Sequence, residues 1–233
     1  MRAMKRIGII AALELEAQLL HSKLKSTQEH IQAGFRFVSG TLGDAEIVLV
    51  VCGVGKVNAA ACTQLLIDRH QVDCIINTGV AGSICETLSP LDIVISSEVT
   101  HHDVQPAQLG NLFPFTRFFS GNADLIHLAQ EACASLDLPG KYVLGRIVSG
   151  ETFIEDDSQR NWIREQFAAL CVEMEGAAVG HVAHLNSIPF VIIRTISDAA
   201  DSGATESFHK FKTKAADTSA ALVCAMIHHI QIN

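Results

Sequence analysis

The chain has 233 residues, of which 48% are hydrophobic and 18% charged, and its formal net charge at pH 7 is -8. This composition supplies enough apolar side chains for a full core and excludes a chain that is disordered throughout. The acidic balance and the lack of a dense Lys/Arg run disfavour binding to nucleic acids or anionic membranes, so a small uncharged or cationic ligand fits better. We expect one large domain over residues 1–233, with two domains as the weaker alternative.

The hydrophobic pattern predicts strands and helices that alternate along the chain. In chain order the prediction is strand 5–12, helix 14–25, paired strands 35–42 and 46–52 around a turn at 43–44, helix 57–69, strand 74–77, strand 92–99, helix 124–136, strand 142–148, helix 158–167, strand 170–172, a helix to about 185, strand 190–196 and helix 207–229. Such alternation is typical of an α/β fold. We therefore expect a three-layer α/β/α sandwich with a mixed central sheet.

Residues 101–121 form the longest segment without clear periodicity. A stretch of this length inside a compact domain is usually functional or mobile. Its apolar side chains are too numerous for a solvated loop, and they are Leu109, Leu112, Phe113, Phe115, Phe118 and Phe119. We expect them to pack over a ligand or against a second subunit.

Seven cysteines are scattered along the chain without a CxxC pair, and several lie inside apolar runs. This pattern favours reduced, buried thiols over disulfides or nucleophiles. The amino terminus lacks a signal-peptide pattern, whether the protein starts at Met1 or at Met4, and no apolar stretch is long enough to span a bilayer. We expect a cytoplasmic protein.

Small or polar residues follow five predicted strands, at Glu14 and Glu16, 78–82, 149–153, 173–175 and 197–198. The last group is the most informative, because the apolar run 190–193 leads through Arg194 to Ser197 and Asp198. If the strands are parallel neighbours, their ends meet at one edge of the sheet, where open α/β sheets bind ligands. A carboxyl group partly shielded from water there can hold a proton near neutral pH. The sequence predicts a pocket with separate acid and base carboxyl groups.

Seven short motifs lie in order between about Met4 and His228. They are IGIIAA at 7–12 followed by Glu14 and Glu16, GVGKV at 53–57, NTGVAG at 77–82, HD at 102–103, SGETFI at 149–154, VEMEG at 172–176 and RTISD at 194–198. Together they resemble the 5'-methylthioadenosine/S-adenosylhomocysteine nucleosidases of the nucleoside phosphorylase superfamily. The resemblance implies a nucleoside phosphorylase-like fold, a small-molecule nucleoside substrate, no cofactor and no metal, and a homodimer with the 101–121 loop near its interface.

The resemblance also implies separate roles for three carboxyl groups. Glu16 looks like the base that orients and deprotonates the attacking water. Asp198 looks like the acid that protonates adenine at N7, steadied by Ser197, and Glu175 resembles the acceptor for the ribose hydroxyls. Cleavage of an N-glycosidic bond builds positive charge on the ribose and negative charge on the base, so an acid at the base and a carboxylate near the sugar suit the reaction.

Other positions are implied to bind the substrate. Phe153 resembles the residue that stacks on the base, and Ile154 belongs to the segment that reads the base edge through its backbone. Arg194 resembles a residue that steadies the water and its carboxylate. The remaining implied substrate-binding residues are Ala81, Gly82, Met174 and Phe208.

Hydrolysis is favoured over phosphorolysis. Phosphorylases of the superfamily hold an anionic co-substrate with arginines, one of them just before the Gly-rich turn, where this chain has Asn77. A carboxylate at Glu16 would repel phosphate and suits water. Two departures from the common pattern are Val80, in place of serine, and Gln105, in place of aspartate. The alternatives are a hydrolase of another 5'-modified nucleoside, such as futalosine, and a non-catalytic nucleoside-binding protein.

Structural roles compete with functional ones at several positions. Glu14 fits a first-turn acid favoured by the helix dipole, and Asp198 taken alone fits a helix N-cap. Arg194 fits a structural ion pair as well as it fits a functional role. Glu173 and Glu175 alternate along an extended segment, so we expect only Glu175 to face the pocket directly and Glu173 to be a supporting or solvated acid.

The remaining polar motifs are expected to be structural. His181 and His184 are three apart on a predicted helix, but no Cys or acid set completes a metal site. The histidines at 101–102 beside Asp103 are more typical of a loop-ordering hydrogen bond than of a catalytic dyad. The segment 53–56 lacks the P-loop spacing and predicts close backbone packing near the pocket or a subunit interface.

Overall fold

The computed structural model describes residues 5–230, so the choice between Met1 and Met4 as the start lies outside the described residues. The strands are β1 Arg6–Ala11, β2 Lys25–Gln32, β3 Phe35–Leu42, β4 Ala45–Val51, β5 Cys74–Ser83, β6 Ile93–His101, β7 Phe119–Ser120, β8 Tyr142–Ser149, β9 Cys171–Glu173 and β10 Phe190–Asp198. The helices are α1 Glu14–Lys23, α2 Lys56–His70, α3 Pro106–Asn111, α4 Ala123–Ser135, α5 Asp157–Phe167, α6 Gly176–Leu185 and α7 Ala204–His229.

The strands form one mixed sheet in the order β10-β6-β8-β9-β5-β1-β4-β3-β2, with β7 beside β6. Strand β10 also pairs with β5 in parallel, while it pairs with β6 in the antiparallel direction. The first five strands of that order therefore close into a ring, and the remaining strands extend from β5. Strand β10, which ends in Ser197 and Asp198, is therefore held in place by β5 on one side and β6 on the other.

Apolar side chains alternate between the two faces of the sheet, and on each face they pack against a layer of helices. On β1 and just after it, Ile7, Ile9 and Ala11 enter the core that packs under α1, α4 and α7, whereas Ile10 and Ala12 enter the core under α2 and α6. The side chains of both clusters are almost completely buried. This burial of apolar surface is the main source of stability for such a sheet. The predicted three-layer α/β/α sandwich with a mixed sheet is confirmed.

Three elements differ from the sequence prediction. The chain turns after Lys23 and forms β2, which the pattern did not predict. Strand β5 does not end at Asn77 but continues through the Gly-rich segment to Ser83, because β10 pairs with it as far as Gly82. The segment 101–121 is not an irregular loop throughout, since it contains the short helix α3 and strand β7.

All seven cysteines are free, and five of them are buried. Burial raises the pKa of the Cys74 thiol to about 12, which keeps it protonated and unreactive at neutral pH. The cysteines thus fill the core as predicted. Over residues 5–230, no helix combines the length and apolar character needed to cross a membrane.

Candidate active site

A cavity of about 640 Å³ opens at the carboxyl ends of β1, β5 and β10. Nine of the eleven predicted site residues line it, including both Glu16 and Asp198. Ile154 lines a small adjoining recess that also contacts Asp198 and Gly82. Arg194 is buried and does not line either space. The strand ends therefore converge on one pocket, as their positions in the sequence predicted.

Backbone N–H groups hold the Glu16 carboxylate on the cavity wall. Its Oε2 accepts hydrogen bonds from the N–H groups of Ala12 and Leu13, each at 2.9 Å, and its Oε1 accepts one from Val80 at 3.0 Å. The side chain is buried, and this desolvation raises the pKa of Glu16, while Arg194 and the backbone donors oppose the rise. Glu16 therefore has a fixed position and an increased affinity for a proton.

Glycine at position 79 is what allows Glu16 to lie there. A Cβ on Gly79 would stand only 2.6 Å from Glu16 Oε1. Glu14, two residues earlier, points instead toward solvent and lies 3.6 Å from Arg36. The structural interpretation thus fits Glu14, whereas Glu16 combines first-turn capping with a place in the pocket.

Asp198 ends β10 and lines the same cavity as Glu16. Its Oδ2 accepts the Ser197 hydroxyl at 2.7 Å, and its Oδ1 accepts the Ala200 N–H at 2.9 Å. Burial raises the pKa of Asp198, against the lowering effect of these two donors. The N-cap interpretation does not hold for Asp198, because the next helix begins at Ala204 with Gly203 as its N-cap.

Glu173 and Glu175 both line the cavity, so the expectation that strand alternation sends only Glu175 to the pocket was wrong. Strand β9 ends at Glu173, and the backbone leaves the extended conformation at Glu175, with φ -134° and ψ -41°. Glu175 Oε1 accepts the N–H of Gly55 at 2.8 Å. The predicted close backbone approach of the 53–56 segment is therefore present at the pocket.

Arg194 forms an ion pair with Glu173 beneath the cavity. Its Nη2 group donates to Glu173 Oε2 and, at 2.7 Å, to Asn77 Oδ1. The hydrogen bonds of residues 5–230 include none from Arg194 to Glu16, so the implied direct support of that carboxylate is not present in this arrangement. The ion pair that the sequence offered as one alternative for Arg194 is present, and Arg194 also stabilises the Glu16 carboxylate through its charge.

Two aromatic side chains form the outer wall of the cavity. Phe153 follows β8, Phe208 lies on the first turns of α7, and their ring centroids are 5.9 Å apart in an edge-to-face arrangement. Phe153 is 40% exposed, which leaves a ring face available to a ligand.

Several further residues that line the cavity were not predicted from the sequence. Thr205, His209 and Lys212 line the cavity with Phe208 and share one face of α7. Their spacing is that of adjacent helical turns. Extending the predicted helix from 207 back to Ala204 would have placed all four on one face, so the signal was present.

The other polar motifs have structural contacts. Asp103 accepts hydrogen bonds from Lys56 Nζ at 2.5 Å and from the Glu151 N–H at 3.0 Å, so it orders the loop through these partners and not through His101 or His102. The His181 ring stacks on Phe119 at 4.4 Å. No group of three or more metal-ligating side chains is assembled within the described part of the chain.

Comparisons with known proteins agree on one family. The model of the phosphorylase superfamily matches residues 6–228. The 5'-methylthioadenosine/S-adenosylhomocysteine nucleosidase of Bacillus pumilus is 40% identical over 232 residues, which cover 97% of this chain and 100% of that protein. The crystal structure of such a nucleosidase from Colwellia psychrerythraea, in complex with adenine, matches with a TM-score of 0.93 at 36% identity and covers 97% of this chain and 96% of that one. A futalosine hydrolase from Helicobacter pylori matches with a TM-score of 0.89 at 29% identity and covers 97% and 98%.

Proposed function

Because the chain belongs to the phosphorylase superfamily, and within it to the 5'-methylthioadenosine/S-adenosylhomocysteine nucleosidases, we propose that it hydrolyses the N-glycosidic bond of these two nucleosides. The products are adenine and the corresponding 5-thioribose. The observation that carries the proposal is that Glu16 and Asp198 line one cavity of about 640 Å³, which is large enough for a nucleoside.

Asp198 acts as the general acid in this proposal. Burial favours its protonated form, and the Ser197 hydroxyl and the Ala200 N–H fix the orientation of the carboxyl group. Proton transfer to adenine N7 neutralises the negative charge that bond cleavage places on the base. A positioned acid of this kind contributes about 10²- to 10⁴-fold to the rate.

Glu16 acts as the general base for water. Three backbone N–H groups hold its carboxylate on the wall shared with the Gly-rich part of β5, and its raised pKa suits it to accept a proton. Glu175 accepts the ribose hydroxyls, and the free face of Phe153 stacks on the base. The remaining proposed contacts come from Ala81, Gly82, Ile154, Met174 and Phe208.

Water rather than phosphate is the nucleophile in this scheme. A phosphate placed beside Glu16 would meet a buried carboxylate. Arg194, whose Nη2 group donates to Glu173 and Asn77, is buried and does not line the cavity, so it offers no cationic wall to a phosphate there. The charge arrangement therefore opposes phosphorolysis.

The direct test is to incubate purified protein with 5'-methylthioadenosine and follow free adenine, with and without phosphate. Equal release in phosphate-free buffer is the expected result. Release that requires phosphate would assign the chain to the phosphorylases, and no release in either buffer would refute the proposed activity.

A futalosine-type nucleoside is the second candidate substrate, favoured by the full-length structural match to the Helicobacter pylori futalosine hydrolase. Both candidates are purine nucleosides that carry a modified 5' group. Comparison of kcat/KM for 5'-methylthioadenosine, S-adenosylhomocysteine and futalosine separates them. A higher kcat/KM for futalosine would replace the first proposal.

The proposal includes a homodimer with the 101–121 segment near the interface. Leu112, Phe113 and Phe115 are 62%, 71% and 69% exposed, and together they form an apolar surface that a second copy would cover. Light scattering of the purified protein tests the oligomeric state. We propose that the protein acts in the cytoplasm. Because the reaction would remove the two thionucleosides, we propose a role in methionine salvage and methyl-cycle recycling.

A further inference from the structure

Glu173 is the most completely hydrogen-bonded carboxylate near the cavity. Its Oε2 accepts the N–H groups of Glu175 at 3.1 Å and Gly176 at 2.7 Å, as well as the guanidinium of Arg194. Its Oε1 accepts the hydroxyl of Ser149, which in turn accepts the N–H of Ala177 at 2.7 Å. These contacts leave little capacity for a substrate, although Glu173 reaches the cavity wall.

Arg194 is shared unequally between two carboxylates. Its Nη2 atom donates to Glu173 but lies 3.8 Å from Glu175 Oε2, beyond hydrogen-bond distance. All three side chains are buried, so solvent screens the attraction only weakly. If the charge on Glu173 were removed, Glu175 would be the nearest carboxylate to the guanidinium, and a small rotation would join them.

Several elements pack charged or titratable groups around Glu175. Glu173 on β9 and Glu16 on α1 are like charges, Arg194 on β10 is the opposite charge, and Cys52 after β4 is a neutral thiol. Burial, then the Glu173 charge, raises the pKa of Glu175 to about 8, although Arg194 and the Gly55 N–H act in the opposite direction. The Glu173 ion pair is therefore part of what determines the state of Glu175.

We propose that Glu173 is a positioning residue: by engaging Arg194 and the first N–H groups of α6, it keeps the Glu175 carboxylate out of an ion pair and free to accept ribose hydroxyls. This inference rests on the proposed function for its consequence in catalysis. The competition of Glu173 and Glu175 for the buried Arg194 does not depend on which substrate binds.

The test compares Glu173→Gln with wild-type protein. Glutamine keeps an oxygen that can accept the α6 N–H groups but removes the charge that holds Arg194. KM for 5'-methylthioadenosine should rise about tenfold, as expected when a hydrogen-bonded charged group is withdrawn, with a smaller change in kcat. In this variant Arg194 pairs with Glu175, which lowers the pKa of Glu175. The rising limb of the plot of kcat/KM against pH should therefore shift to lower pH by about one pH unit or more.

Glu98→Gln is the matched control. Glu98 also pairs with a single arginine, Arg146, at 2.6 Å, but it does not line the cavity. This variant should keep the wild-type KM and pH profile. A purely structural role for Glu173 would lower the melting temperature without moving the pH profile, and that result would overturn the inference.

A spectroscopic titration separates this inference from the proposed function. Infrared difference spectra of the protein without substrate record the carbonyl stretch of protonated carboxyl groups, and Glu175→Gln identifies the Glu175 band. The band should titrate at lower pH in Glu173→Gln, even if the wild-type protein releases no adenine. If Glu173→Gln does not fold, Ser149→Ala should give a smaller shift in the same direction, because it removes one hydrogen bond to Glu173, and the one from Ala177, but keeps the Glu173 charge. An unmoved band refutes the inference.

Discussion

Replacing Gly79 with alanine should displace the proposed base and slow the reaction. The new Cβ would lie 2.6 Å from Glu16 Oε1, whereas ordinary contacts begin at 3.4 Å. Glu16 cannot simply rotate away, because hydrogen bonds from Ala12, Leu13 and Val80 hold its two oxygens. The carboxylate or the strand must therefore shift by about 0.8 Å, and misplacement on this scale lowers kcat by about 10²-fold.

Steady-state release of adenine from 5'-methylthioadenosine measures the effect, with a thermal melt to confirm folding. Gly110→Ala is the matched control, because its Cβ would meet Arg117 Cγ at an ordinary 3.4 Å. We expect wild-type kcat for Gly110→Ala and a much lower kcat for Gly79→Ala at similar KM. A folded Gly79→Ala protein with kcat within about threefold of wild type would refute the role given to Glu16.

Three further predictions address other residues of the site. Asp198→Asn should lower kcat by about 10²- to 10⁴-fold, because an amide cannot protonate adenine, while calorimetry still detects adenine binding; an unchanged kcat would remove Asp198 from the acid role. Phe153→Ala should raise KM about tenfold through loss of base stacking, and an unchanged KM would contradict the stacking contact. Because the pKa of Glu175 is raised from 4.5 to about 8, its contribution to stability is complete below pH 4.5 and is lost as the pH rises through about 8. Glu175→Gln should therefore flatten the decline of the melting temperature between about pH 4.5 and pH 8, and a parallel decline in both proteins would show that Glu175 is not the titrating group.

The sheet and its helices were predictable because buried strands have continuous apolar runs. Strand β2 was missed for the opposite reason: seven of its eight residues are exposed, and it is an edge strand that pairs only with β3. The full length of β5 was missed because its Gly-rich half is stabilised by pairing with β10, which lies far along the chain. Pairing between distant strands leaves no periodic signal in either segment.

The site was predictable where strand ends carry polar residues, as at Asp198. The partner of Arg194 was not predictable. Sequence spacing cannot show that Glu173 and Glu175 turn toward the same arginine, because the outcome depends on where β9 ends and α6 begins. The His101 and His181 contact, 3.4 Å between ring nitrogens, likewise joins segments separated by 80 positions.

The ring closed by β10 links catalytic competence to the completion of the fold. Ser197, which orients the proposed acid, contacts the carbonyl of Ala81 across 116 positions of sequence, so this junction forms only after a long loop has closed. A partly folded intermediate that lacks the β5–β10 pairing would have no acid in register with its base. Recovery of activity during refolding should therefore coincide with protection of the β10 amides from hydrogen exchange, and not precede it.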